Sequence, residues 1–104
     1  MKIEVLTFEG CPNAESARKL VERVVAESRV DVEIAHVNVP DPEAAERLRF
    51  LGSPTIRVDG HDIEPGADRR TEYVLACRIY RTEESIAGVP DAHWLRDAFV
   101  ASRR

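Results

Sequence analysis

The sequence predicts an α/β fold of β-α-β-α-β-β-α order, with a mixed sheet covered by helices and an extra loop and hairpin between residues 60 and 90. Three observations lead there. Two β-branched segments alternate with two amphipathic ones in the first half of the chain, an Asp59-Gly60 dipeptide follows a third apolar run, and a capped amphipathic segment closes the sequence. At 104 residues the chain has the length of one domain, taken as residues 1–104. Its 43% apolar and 33% charged residues are those of a packed protein rather than a disordered one.

Residues 2–8 (KIEVLTF) read as the first strand, with Ile3 and Val5 on one face and Leu6 and Phe8 on the other, as in a strand covered on both sides. Glu9-Gly10 breaks it. Residues 13–28 then carry Ala14, Ala17, Leu20, Val21, Val24 and Val25 at helical spacing, with i,i+4 charge pairs such as Glu15–Lys19 outside. Residues 30–39 form a β-branched run whose apolar parity switches at Val37. Either its second half is buried on both faces or it carries a bulge. Asp41 as N-cap, Pro42 at the first helical position and Gly52 as the stop define a second helix, and the order so far implies a parallel strand pair.

Residues 55–58 (TIRV) give the third strand, and Asp59-Gly60 turns it back through 61–64, because both turn residues must take positive φ. The stretch 67–74 is polar and ambiguous. Residues 75–81 (LACRIYR) look like a strand onto which 85–89 folds back, and Asp91 caps a last helix with Leu95, Ala98 and Phe99 inward. The terminal Arg103 and Arg104 place positive charge at that helix's C-terminus.

A net charge of −4 with both signs interspersed argues against a nucleic-acid surface, which needs a concentrated basic face. No apolar run approaches the roughly 20 residues that span a bilayer, and the first residues lack the apolar stretch of a signal peptide. The expected setting is the cytoplasm, away from membranes, where two cysteines 66 positions apart stay reduced.

Two marks define a site. The first is Gly10-Cys11-Pro12-Asn13-Ala14 between a strand and a helix. Proline at the first helical position makes Cys11 the N-cap, so that its sulfur accepts from N–H groups near Asn13 and Ala14 while the helix dipole favours thiolate; Glu9 opposes this. The alternative is a small apolar residue packed in a tight turn. The second mark is Gly52-Ser53-Pro54-Thr55, which puts a candidate cis proline at the start of the third strand, on the same sheet edge as Cys11. There Ser53 backbone groups could pair with an extended peptide beside the sulfur.

The order of strand, Cys-Pro turn, long helix, strand, short helix, Ser53-Pro54-Thr55, Asp59-Gly60 hairpin and final helix resembles the thioredoxin/glutaredoxin superfamily over nearly the whole chain. The resemblance implies a thioredoxin-like fold with Cys11 as nucleophile and Pro54 as the facing cis proline. Pro12, Asn13, Ser53, Pro54 and Thr55 would line the substrate site. The usual second cysteine is Ala14 here, leaving a monothiol Cys11-Pro12-Asn13-Ala14. Cys77-Arg78-Ile79-Tyr80 is similar to a segment of short bacterial thioredoxin-like proteins of a type that carries the label alkylmercury lyase.

For Cys77 three placements stand open. If 75–81 pairs with 55–58, the thiol lies at the far end of the ladder, beyond the roughly 7 Å Cα separation a disulfide tolerates. If Asp59-Gly60 closes its own hairpin, the 66–76 loop crosses the active edge and delivers Cys77 to Cys11 as a resolving thiol. Otherwise Cys77 is a core residue between Leu75 and Ile79.

His61 with Asp59, Asp62, Glu64 and Asp68 reads as a solvated turn rather than a metal site. His36 reads as a core or edge histidine, His93 as exposed, and Trp94 and Tyr80 as packing. Arg69, Arg70, Arg78 and Arg81 either solubilise the surface or contact an anionic thiol such as glutathione. Nothing resembles a phosphate loop, and no cofactor or resident metal is expected.

The leading expectation is a thiol–disulfide oxidoreductase, monomeric or homodimeric, whose Cys11 thiolate attacks a protein or small-molecule disulfide, a sulfenate or another soft electrophile, with Cys77 resolving the product. The alternatives are a soft-metal site for mercury or copper(I) on the two thiolates or organomercurial detoxification, and a non-catalytic interaction module.

Overall fold

The structure is a computed structural model that describes residues 1–82 and 85–102. Arg103 and Arg104, read above as charge at a helix end, lie outside the described residues. Strands β1 (Lys2–Thr7), β2 (Glu33–Asn38), β3 (Thr55–Val58) and β4 (His61–Asp62) form one sheet in the order β2-β1-β3-β4. Helices α1 (Ala14–Ser28), α2 (Pro42–Arg47) and α3 (Ala92–Ser102) cover it, and a short hairpin, β5 (Tyr80–Arg81) with β6 (Ile86–Ala87), stands apart. This is the mixed sheet of a thioredoxin-like α/β fold.

Strand β1 runs parallel to β2 in unbroken register from Lys2↔Glu33 to Thr7↔Asn38, and antiparallel to β3, with Leu6 opposite Thr55. The end of β1 and the start of β3 therefore share one sheet edge. The alternation of β1 sorts its side chains: Ile3 and Val5 meet Leu20, Val21, Leu95 and Phe99 under α1 and α3, while Leu6 meets Ala44, Ala45 and Phe50 under α2. Parity in β2 behaves likewise. Ile34 packs on the first cluster and Val37 on the second, so burial on two faces, not a bulge, explains the switch.

Four expectations need correction. Strand β2 begins at Glu33 rather than Val30, because α1 ends through Arg29 in the left-handed region and the chain needs Val30–Val32 to return. Helix α2 ends at Arg47, five residues before Gly52. The left-handed residue after it is Arg49, and Arg57 on β3 satisfies the free carbonyls of Leu48 and Arg49 at 2.6 and 3.0 Å. Strand β4 is two residues long, not four. Of 75–81 only Tyr80 and Arg81 are strand, paired to Ile86 and Ala87.

Two of the signals act as the local chemistry requires. Asp41 Oδ1 accepts the Ala44 N–H at 2.8 Å, capping α2. Asp59 and Gly60 take φ of 49° and 86°, the doubly positive turn that matches the twist of β3 and β4.

Candidate functional site

Cys11 sits where two tight turns meet. Its N–H donates to Phe8 carbonyl at 3.2 Å across Glu9-Gly10, and Gly10 supplies the φ of +89° that the third position of such a turn demands. Its carbonyl accepts the Ala14 N–H at 3.3 Å across Pro12-Asn13, a turn for which proline's fixed φ is preset. Helix α1 thus starts at Ala14 with Asn13 as its cap, and Cys11 is not the N-cap. The extra turn moves the sulfur back from the helix mouth, and among the described residues no group hydrogen-bonds to it.

Cys11 is buried, with 9% of its residue surface exposed, and lines an open groove of about 490 Å³ on the β2 side, together with Glu9, Arg18, His36 and Asn38. His36 is exposed on the edge strand and belongs to this groove, not to the core. Pro12 is exposed beside it and Asn13 half-buried.

Across the sheet edge the Ser53–Pro54 peptide bond is cis. Ser53, Pro54 and Thr55, read as a substrate-lining trio, are all buried. Ser53 Oγ accepts the Phe8 N–H at 3.4 Å, tying this loop to the Cys11 turn. Thr55 Oγ1 donates to Gly52 carbonyl at 2.7 Å and accepts from Arg78 at 2.9 Å.

What covers them is the chain itself. Residues 74–78 run alongside 50–53: Val74 N–H donates to Phe50 carbonyl, Ser53 N–H to Ala76 carbonyl at 2.8 Å, and Arg78 N–H to Ser53 carbonyl at 2.9 Å. Cys77 is thereby the parallel β-bridge partner of Ser53. Bridged residues present their side chains to one face, so the Cys77 sulfur shares the side on which Ser53 Oγ meets Phe8. Cys77 is exposed, and neither a core position nor a place on the β3 ladder describes it.

Sequence reasoning missed the anchor of this segment. Arg78, 3% exposed, donates to Asp62 Oδ2 and to Glu64 Oε1, both at 2.7 Å, and its guanidinium carbon lies 4.4 Å from the centre of the Tyr80 ring. Burial works against this charge, but the hydrogen bonds and negative charges of Asp62 and Glu64 hold its pKa above the ordinary value. Burial likewise raises the pKa of Tyr80, whose hydroxyl stays protonated and donates to Pro54 carbonyl. Arg78 is therefore neither solubilising nor available to an anionic thiol, and Asp62 and Glu64 belong to no solvated turn. The available signal was a pair of period-two spacings, Asp62-x-Glu64 and Arg78-x-Tyr80. Hydropathy hid it, since Ile79 between the two anchors is 56% exposed.

A cysteine at a strand-to-helix turn, with a proline loop on the same edge of a four-stranded mixed sheet, defines a thioredoxin-like thiol protein. Residues 1–67 match the Thioredoxin domain family, and the chain belongs to that family. It is similar to a thioredoxin of Methanocaldococcus jannaschii, 35% identical over 65 residues that cover 62% of this chain and 75% of the relative. The family match ends before the segment that bridges Ser53. No helix among the described residues is long and apolar enough to cross a membrane.

Proposed function

We propose that this protein carries out thiol–disulfide exchange with Cys11 as nucleophile and Cys77 as resolving thiol. The observation that carries the reading is the Ser53–Cys77 bridge, which brings the second thiol to the loop that also contacts the Cys11 turn. It answers the absence of a second cysteine at Ala14: the partner thiol comes from the distant strap rather than from the same helix.

In the first step Cys11 thiolate attacks one sulfur of a disulfide RS–SR, forming a Cys11–SR bond and expelling RS⁻, which takes a proton. In the second, Cys77 thiolate attacks Cys11 sulfur, the mixed disulfide breaks, and a second RS⁻ leaves. The protein ends oxidised by two electrons as a Cys11–Cys77 disulfide, the substrate ends as two thiols, and an external dithiol returns the protein to its starting state. The soft-metal and organomercurial readings draw on the same two thiolates.

Mass spectrometry after addition of a small disulfide tests this. Cys77→Ser should accumulate a mixed disulfide on Cys11, wild type should pass through it to an internal disulfide, and Cys11→Ser should form no such adduct. Equal adduct on wild type and Cys77→Ser would rule out the resolving role. An adduct on Cys11→Ser of the same size and rate would rule out Cys11 as the nucleophile.

A further inference from the structure

An extended peptide that approached Cys11 by pairing with Ser53 would need the Ser53 N–H and carbonyl. Both are taken by Ala76 and Arg78 of the same chain, at 2.8 and 2.9 Å. The strap that takes them is fastened from below and at its far end. Arg78 is locked between Asp62 and Glu64, and Tyr80 hydroxyl holds Pro54 carbonyl. Gly52 completes the fit, since a Cβ at that position would stand 2.9 Å from Arg78 Cβ. The strap thus occupies the pairing position at Ser53, and beyond the β5–β6 hairpin Gly88 lies so close to Asn13 that a Cβ there would collide with its side-chain amide, while the groove beside Cys11 toward β2 stays open.

We propose that residues 76–80 are a specificity device that excludes extended polypeptides from the Cys11 site and reserves it for low-molecular-weight disulfides. The inference rests on Cys11 as the nucleophile. Small disulfides reach the sulfur through the groove bordered by Arg18, His36 and Asn38, whose volume of about 490 Å³ falls in the range of small-ligand sites. A polypeptide gains nothing by pairing with Ser53 until the strap has surrendered the same two hydrogen bonds. Arg78 and Tyr80 act through the strap and are positioning residues.

The test compares pre-reduced protein in single-turnover reactions with cystine and with the disulfides of insulin, and follows Ser53 amide exchange by NMR. Wild type should react with cystine faster per disulfide by roughly tenfold or more, the worth of two typical backbone hydrogen bonds. Arg78→Met should lose protection at the Ser53 amide and close that gap by speeding the insulin reaction, with attack on cystine unchanged within about twofold. Tyr80→Phe, which keeps the ring, makes the same measurement should Arg78→Met fail to fold. Equal wild-type rates on the two substrates would overturn the proposal, as would a variant with an unprotected Ser53 amide and wild-type selectivity. A reaction with cystine that is unaltered in Cys11→Ser would overturn the nucleophile itself, a distinct failure.

Discussion

Gly52 holds a φ of +122° and faces Arg78 Cβ and Ala76 carbonyl, so one hydrogen atom in place of a methyl group is what lets the strap lie against the Ser53 loop. Gly52→Ala is expected to destabilise the protein by about 1–3 kcal/mol through backbone strain, with steric displacement of the strap added to it. Urea unfolding measures this, and a variant as stable as wild type would contradict the close approach. Arg78 presents a second test. Its charge is buried between two carboxylates, and Arg78→Ala leaves Asp62 without its cation and Glu64 with Arg70 alone, so a loss of about 3–5 kcal/mol is expected in the same assay. Both residues were visible in the sequence, but not their roles. An arginine within the LACRIYR run reads as solubilising, and only the fold shows that Asp62 and Glu64 lie beneath it.

The elements were more legible than their ends. Helix α1 and strand β1 follow from periodicity alone, and Asp41-Pro42 marks the start of α2, where Asp41→Ala should cost about 1 kcal/mol by thermal or urea unfolding. The end of α2 was not legible, because the carbonyls that would have continued the helix are taken by Arg57, a residue on another element. The β3–β4 turn has a further connection. Asp59 accepts hydrogen bonds from Ser102 hydroxyl at the end of α3 and from the Lys2 N–H, which hold its carboxyl below the ordinary value of 3.8. A depressed folded pKa gives stability that is present above the ordinary value and lost as pH falls through the lower, folded one. Asp59→Asn keeps a residue suited to the turn and should flatten the acid limb of stability below about pH 4. An unchanged acid limb would show that these hydrogen bonds do not persist in solution.

For the molecule as a whole, residues 2–62 form the sheet by local rules that a sequence displays: alternation, caps and one hairpin turn. The strap does not. Residues 74–78 join the fold through three backbone hydrogen bonds to 50–53 and through side chains buried across element boundaries, and such contacts have no period to read. That is why Cys11 and Pro54 could be placed in advance and Cys77 could not. It is also why Ser53, open in the sequence reading, is covered in the molecule. Mild oxidation of the whole protein, followed by peptide mapping under non-reducing conditions, tests the pairing of these two thiols most directly. An internal Cys11–Cys77 disulfide in the monomer is the expected product; a Cys11–Cys11 dimer, or two thiols that oxidise independently, would contradict it.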